Sequence, residues 1–456
     1  MGFPKDFVWG AATASYQIEG AAYEGGKGLS VWDMMCRKPG AIWEGNTGDV
    51  ACDHYHRYKE DTALMKKVGL GAYRFSISWP RVMPEGTAKV NAEGLAFYDK
   101  LVDELLANGI EPYVTLFHWD FPYELYRRGG WLNKQSSDWF AEYVGVVVEK
   151  LSDRVSNWIT LNEPQCFVGL GHLDGIHAPG LKLPLSDVLL AAHNVLLAHG
   201  KAVQVIRSKS KGECRVGYAP VGVVKMPVVE NEADIKASRE AMFSIEGGHC
   251  WNNTWWMDPV FLGRYPEDGL NVYGTDAPKV GPTDMETICQ PLDFFGVNVY
   301  YGCEVRMGKD GRPEEMPRLV WRGLTTMDWS ITESALYWGP KFFYERYKKP
   351  VIITENGMAN TDWAALDGRV HDPQRIDFLR RYLRALRRAI EEGVETSGYF
   401  LWSLMDNFEW TFGLSRRFGI IYVDYNTQQR ILKDSAYWYR DIITSNGDAL
   451  DEVHHG

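Results

Sequence analysis

The sequence predicts an α/β fold, a single (β/α)8 TIM barrel with long βα-loop insertions spanning residues 1–456. Three observations carry that prediction. Short β-prone runs recur eight times, segments of helical period separate most of them, and polar residues gather at the ends of the runs. No stretch rich in Gly, Ser or Pro and no shift in composition marks a second domain.

In chain order the runs cover 7–12, 72–79, 111–119, 155–162, 215–220, 293–301, 351–355 and 397–405. Between the second and third, Leu95, Tyr98, Leu101, Val102, Leu105 and Leu106 repeat at helical spacing, and Asn108-Gly109 supplies a stop. Phe140, Val144, Val147 and Leu151 make another apolar stripe. A third helix opens at Asp372-Pro373, with Asp as the cap and Pro in the first turn, and ends at Gly393. One face of it carries Ile376, Leu379, Leu383, Leu386 and Ile390. Arg380, Arg381, Arg384, Arg387 and Arg388 lie opposite that stripe, so they read as a solvated outer face rather than a nucleic-acid patch. Residues 221–290 read as a long loop insertion with one helical stretch at 234–242.

Composition narrows the function. The chain is 45% hydrophobic and 24% charged, ordinary values for a globular protein. A net charge of −11 disfavours phosphate backbones and anionic lipid, and no apolar run approaches the roughly 18 residues that span a bilayer. Seven Cys without a C-x-x-C pair argue against a disulfide framework or a structural zinc site. With no charged and apolar leader at the N-terminus, the expected compartment is the cytoplasm.

In a barrel of this kind, functional residues collect at the C-terminal ends of the strands. Here Gln17 and Glu19 follow the first run, Arg74 lies in the second, and His118-Trp119-Asp120 closes the third. Asn162-Glu163 closes the fourth, Asn298 and Tyr300 the sixth, and Glu355 the seventh, in Val351-Ile352-Ile353-Thr354-Glu355-Asn356-Gly357. The eighth leads through Trp402 to Asn407-Phe408-Glu409-Trp410.

Strands four and seven are three positions apart in an eight-membered ring, so Glu163 and Glu355 can face each other across its mouth. Two such carboxyls are the equipment for cleaving a glycosidic bond. A spacing of about 5–5.5 Å suits retention and about 6.5–9.5 Å inversion. Arg74 directed at Glu355 would keep it ionised as nucleophile, with Tyr300 as a hydrogen-bond donor to it. A neighbouring anion and a dry site would hold Glu163 protonated as the acid. Taken singly, each Glu also reads as a salt-bridge or capping group.

Among 18 Trp and 24 Tyr, the residues flanking polar site positions are Trp119, Trp402 and Trp410, whose rings can pack on a pyranose face. His118 reads either as a partner for a sugar hydroxyl or as a packed core histidine. No metal or cofactor is expected. The chain has no H-E-x-x-H, and Gly25-Gly26-Lys27-Gly28 fails as a phosphate loop because Ala21 stands where its first Gly should and no Ser or Thr follows the Lys.

The chain resembles glycoside hydrolase family 1, the β-glucosidase family, from end to end. The resemblance rests on Phe7-Val8-Trp9-Gly10-Ala11-Ala12-Thr13-Ala14-Ser15-Tyr16-Gln17-Ile18-Glu19-Gly20, Tyr73-Arg74-Phe75-Ser76-Ile77-Ser78-Trp79-Pro80-Arg81, His118-Trp119-Asp120 and Thr160-Leu161-Asn162-Glu163-Pro164. Ile353-Thr354-Glu355-Asn356-Gly357 and Ser403-Leu404-Met405-Asp406-Asn407-Phe408-Glu409-Trp410 complete it. It implies a (β/α)8 barrel that hydrolyses terminal β-linked glucose with retention and without a cofactor. Glu163 then looks like the acid/base and Glu355 like the nucleophile, in agreement with the reading above. By the same resemblance Gln17, His118, Asn162, Glu409 and Trp410 bind the glycone, and Trp402 is its stacking platform. Asn298 and Tyr300 support the nucleophile and the sugar, Trp329 is an aglycone-side platform, and Phe418 lies near the site.

Two departures stand out. Gln165 follows Glu163-Pro164 where many relatives have Trp, which predicts a more polar aglycone mouth. Ser334 replaces a frequent Pro and puts the adjacent loop in question.

The resulting expectation is a β-glucosidase acting on a small-molecule β-glycoside, with neither nucleic acid nor membrane as partner and no oligomeric state assigned. Activity on β-galactosides and β-fucosides, and sugar transfer to other acceptors, accompany it. The competing readings are a 6-phospho-β-glycosidase, which Glu409 would disfavour by repelling phosphate, an inactive sugar-binding barrel and a metal-dependent barrel enzyme.

Overall fold

The computed structural model describes residues 2–319 and 321–452. Thirteen strands occur among them: β1 (Val8–Ala12), β2 (Ala72–Ser76), β3 (Glu111–Thr115), β4 (Asn157–Asn162), β5 (Arg215–Ala219), β6 (Val224–Pro227), β7 (Phe294–Asn298), β8 (Gly302–Met307), β9 (Pro313–Glu315), β10 (Val351–Asn356), β11 (Thr396–Trp402), β12 (Ile421–Val423) and β13 (Arg430–Leu432). Eight form a closed parallel barrel in the order β1-β11-β10-β7-β5-β4-β3-β2. These are the eight runs read from the sequence, trimmed where the chain turns away from the ladder, as at the short helix Trp79–Val82.

The barrel interior is filled by Ala12, Ala72, Tyr113, Ile159, Ala219, Phe294, Ile352, Phe400 and Trp402, small residues alternating with large ones around the taper. Gly10 and Gly217 are required by this packing. A Cβ on Gly10 would lie 2.6 Å from the ring of Phe400, and one on Gly217 would lie 2.1 Å from that of Phe294. A larger core lies between the strands and the surrounding helices.

The helices Ala92–Ala107, Ser136–Leu151 and Pro373–Glu391 occupy the expected places. In the first, the buried face is Gly94, Phe97, Tyr98, Leu101, Val102 and Leu105, whereas Leu95 is half-buried and Leu106 is exposed. The true stripe is rotated from the expected one because Phe97 continues the i, i+4 row through Leu101 and Leu105. In the third, Asp372 stands at the N-cap but its carboxylate does not cap. It accepts instead from the backbone and hydroxyl of Ser435 and pairs with Arg375. The arginine face is solvated and paired, with Arg381 on Asp377, Arg387 on Asp451 and Arg388 on Glu230.

Residues 221–290 are not a loop. They hold β6 and the helices Glu232–Phe243, Thr254–Leu262, Glu267–Tyr273 and Asp284–Ile288. Each piece is short, and Pro259, Pro266 and Gly263 interrupt the apolar period that would have revealed them. The helix Leu185–Lys209 is long and apolar enough by composition to cross a membrane, which the sequence reading missed. Of its most apolar 18-residue window, 72% is buried inside the protein, and Asn194 and His199 bond to Trp131 and Thr160, so it is a core helix.

Two small sheets decorate the barrel. β8 pairs in parallel with β6 and antiparallel with β9, while β12 and β13 form an antiparallel hairpin. Behind that hairpin, buried Lys433 bonds Asp362 at 2.5 Å and Asp406 at 2.7 Å, Arg375 bonds Asp362, and Arg417 bonds Asp406. This cluster fixes the segment that carries Glu409.

Candidate active site

At the C-terminal end of the barrel lies a cavity of about 490 Å³. Its walls include His118, Trp119, Glu163, Tyr300, Trp329, Glu355, Trp402, Glu409, Trp410 and Phe418. Gln17, Arg74, Asn162 and Asn298 are fully buried just behind them and hold them in place. These fourteen residues therefore converge on one place, whereas Glu19, which follows the first run, turns away to bond Arg81 and Tyr98.

Local backbone geometry delivers the two carboxyls. β4 ends at Asn162, Glu163 takes a left-handed conformation with φ of 46°, and Pro164 leads into the π-helix Gln165–Leu173. β10 shifts register against both neighbours near Glu355, which turns that side chain to the rim. Trp119 (φ 79°) and Trp410 (φ 48°) are also left-handed. Such a conformation costs on the order of 1–3 kcal/mol per residue and persists only where the surroundings enforce it.

Arg74 is the hub. Its guanidinium donates to Glu355 Oε1 at 2.7 Å, to the carbonyl of Thr354 at 2.9 Å, to Asn162 Oδ1 at 2.6 Å and to Thr115 Oγ1 at 3.0 Å. Tyr300 donates to the other oxygen of Glu355 at 2.6 Å. Asn298, which the family resemblance placed with the nucleophile and the sugar, lies between the two carboxyls, where its amide favours the charged form of Glu355 and also bonds Glu163. Its Nδ2 donates to Glu163 Oε1 at 2.9 Å and to Asn162 Oδ1 at 3.0 Å, while Thr354 donates to its Oδ1 at 2.6 Å. The Cys166 thiol lies 3.3 Å from Glu163 Oε2.

Electrostatics separate the two carboxyls. Burial and the charge of Glu355 push Glu163 up to about 8, against hydrogen bonds from Asn298 and Cys166. Burial also raises Glu355, but Arg74 and Tyr300 oppose it. Since only Glu355 touches a cation, it is the more acidic of the two. Glu409 is pushed up to about 8 by burial and by both neighbouring carboxyls. His118 is driven well below its ordinary range by burial and Arg74, so it is neutral.

The remaining polar groups offer hydrogen bonds. Asn162 Nδ2 donates to His118 Nε2 at 3.1 Å, which leaves the imidazole proton on Nδ1. Gln17 Nε2 is spent on Asn407 and Phe408 and reaches Glu409 at 3.3 Å. His118 Nδ1 and Gln17 Oε1 are buried without a protein partner among the described residues. A donor and an acceptor thus stand open beside aromatic walls, in which Trp119 stacks on Trp410 with centroids 4.4 Å apart and His118 on Trp402 at 5.7 Å.

The family model described as glycosyl hydrolase family 1 matches residues 1–448. The chain belongs to glycosyl hydrolase family 1. This family 1 hydrolase is 47% identical over 449 residues to β-glucosidase A of Thermotoga maritima, with 98% of each chain covered. It is 46% identical over 452 residues to the 1,4-β-D-glucan glucohydrolase of Thermotoga neapolitana, covering 98% of this chain and 99% of the other. Among solved structures, the Thermotoga maritima β-glucosidase in complex with glucoimidazole is similar with a TM-score of 0.89 and 46% identity, over 98% of this chain and 99% of that one.

Sequence reasoning missed the outer wall of this family 1 site. Val221, Val223, Val224 and Trp251 line it, all from the region read as loop, and Lys225 and Glu315 pair across β6 and β9. The only advance signal was the apolar run at 221–224. Nor does Gln165 make the mouth polar. It is fully buried, and its amide exchanges hydrogen bonds with the backbone of Val221 at 3.1 and 3.2 Å. Ser334 sits without strain just before the helix Ala335–Tyr347, at φ −60°.

Proposed function

We propose that this enzyme is a retaining β-glucosidase that removes terminal non-reducing β-D-glucosyl residues from cello-oligosaccharides and from aryl and alkyl β-glucosides. One observation carries the reading: two buried carboxyls joined through Arg74, Asn162 and Asn298, with the cation on Glu355 alone. The names of its relatives support glucose as the glycone.

Glu355 Oε attacks the anomeric carbon while Glu163 gives its proton to the departing oxygen, so the C–O bond to the aglycone breaks as the glycosyl–Glu355 ester forms. Esterification removes the negative charge that holds Glu163 high. Glu163, now a carboxylate, takes a proton from water as that water attacks the anomeric carbon and frees Glu355. Arg74 and Tyr300 stabilise the carboxylate that leaves. Gln17, His118 and Glu409 bond glucose hydroxyls and Trp402 stacks on the ring. Galactosides, which differ from glucosides by a single axial hydroxyl, and fucosides, which also lack the 6-hydroxyl, are slower substrates, and an alcohol in place of water gives sugar transfer. A phosphate on the sugar would join a buried group of three carboxyls, which favours unphosphorylated substrates. The free thiols of all seven cysteines support a cytoplasmic setting.

The test is a proton NMR time course with 4-nitrophenyl β-D-glucoside. β-Glucose appearing first is the expected result. α-Glucose first would overturn the double displacement, and unchanged turnover in Glu355→Gln would overturn the assignment of the nucleophile.

A further inference from the structure

The partners of Glu163 distinguish its two oxygens. A guanidinium has no acceptor, so the atom of Asn162 that Arg74 meets at 2.6 Å is Oδ1. That oxygen in turn takes a donor from Asn298 at 3.0 Å, which fixes Asn298 Nδ2 on the side of Glu163, 2.9 Å from Oε1. Thr354, donating to Asn298 Oδ1 at 2.6 Å, agrees with that orientation. The direction of each bond in this chain is therefore set by Arg74, and Oε1 of Glu163 meets an N–H. A protonated carboxyl accepts best at its carbonyl oxygen. The proton of Glu163 accordingly belongs on Oε2.

Among the described residues, the Cys166 thiol at 3.3 Å is the one hydrogen-bond partner of Oε2. Backbone geometry holds it there. The N–H of Cys166 donates to the carbonyl of Glu163 at 2.9 Å and closes the turn Glu163-Pro164-Gln165-Cys166, which opens on left-handed Glu163. The Cys166 side chain is buried and stands in the wall of the reaction cavity. Burial and, after it, the charge of Glu163 hold the thiol well above its ordinary range, so it keeps its proton while Glu163 changes state. A thiol donates and accepts weakly, and so competes little with a substrate oxygen for the proton of the acid.

We propose that Oε2 of Glu163 is the oxygen that gives and takes the proton, and that Cys166 is the positioning residue of this step. The inference rests on the acid/base role of Glu163 in the reading above. The thiol leaves the proton free for the glycosidic oxygen, then turns its S–H to the carboxylate once the proton has gone. When water returns a proton to Oε2, the S–H turns away again. Oε1 keeps its bond from Asn298 throughout, so the carboxyl need not rotate between the two half-reactions.

The experiment follows kcat/KM against pH for an alkyl β-glucoside, whose leaving group needs the proton, in the wild type, Cys166→Ala and Cys166→Ser. Ala removes a donor to the carboxylate and should move the alkaline limb upward, whereas Ser, a stronger donor, should move it downward, each by roughly half a pH unit. Glu355, Glu409, Tyr300, Arg74 and neutral His118, which face Glu163 from the other strands, are the same in all three proteins. Infrared difference spectra across that pH range give a second readout. The S–H stretch of Cys166 should fall in frequency as Glu163 ionises and stay fixed in Glu163→Gln. Rates lowered at every pH with the limb and the S–H band unmoved are what a merely structural cysteine would give. That result would overturn the proposal and leave the acid/base role intact, as would limbs displaced in the same direction by both substitutions. Unchanged turnover of the alkyl glucoside by Glu163→Gln would overturn both.

Discussion

The hydroxyl of Tyr300 lies 2.6 Å from Oε2 of Glu355, while Arg74 binds Oε1 at 2.7 Å. Each oxygen of the carboxylate thus has its own donor, one neutral and one cationic. Tyr300→Phe is expected to lower kcat roughly 10–150-fold, the equivalent of about 1.5–3 kcal/mol for a hydrogen bond to a charged group. The acidic limb of the pH profile should move upward, because Glu355 loses a donor that favours its charged form. Steady-state kinetics across pH checks both.

The alkaline limb belongs to Glu163. Since the proposed acid must be protonated and is held up to about 8, kcat/KM should fall as pH rises through that value. Glu163→Ala should remove the limb along with most activity toward poor leaving groups.

Stability follows the same proton. Folded Glu163 sits at about 8 against an ordinary value of 4.5, so between those values the native chain holds a proton that the unfolded chain releases. Stability contributed by this group is complete below the lower value and is lost as pH rises through the upper one. Glu163→Gln should therefore raise Tm relative to wild type near pH 9 and change it little near pH 4, as calorimetry at the two pH values would show.

Lys433 sits fully buried between Asp362 and Asp406. Lys433→Ala leaves both carboxylates in place with Arg375 and Arg417 as remaining partners, so destabilisation should fall near the lower end of about 3–5 kcal/mol. Denaturant unfolding measures it, and glycone affinity should weaken with it, since this cluster anchors the segment bearing Glu409.

Gln165→Trp would install the residue that the family resemblance leads one to expect here. In this chain the Gln amide satisfies both the N–H and the carbonyl of Val221 inside a closed space. The larger ring should cost about 1–3 kcal/mol through overpacking and lost hydrogen bonds. By displacing 221–224, it should raise KM for aryl glucosides more than it lowers kcat.

Much of the barrel and its carboxyl pair was legible because parallel strands are short apolar runs and their C-terminal ends are a defined place. Glu163 and Glu355 stood out because each follows such a run. The outer wall was illegible for a related reason. Between Val221 and Gln290 the chain forms helices of 12, 9, 7 and 5 residues, and the shortest hold too few turns to show a period. Asn298 lies at the end of β7 as read, but that it also bonds Glu163 is a matter of side-chain geometry that a strand pattern does not encode. Gln165 illustrates the same limit, since a polar letter beside the site gives no sign that its amide faces a backbone.

The ring is closed by β1 against β11, whose residues lie nearly four hundred positions apart in the chain. Asn446 reinforces the seam by donating to the carbonyls of Phe3 and Pro4 and accepting from the indole of Trp9. On a ribosome, β1 and β2 can pair early, but the free edge of β1 must wait for β11 to be synthesised. Until then the nascent chain is an open sheet with a sticky border, and Trp402 and Glu409 have no pocket to complete. Hydrolytic competence should consequently arrive all at once, late in translation, rather than growing with chain length.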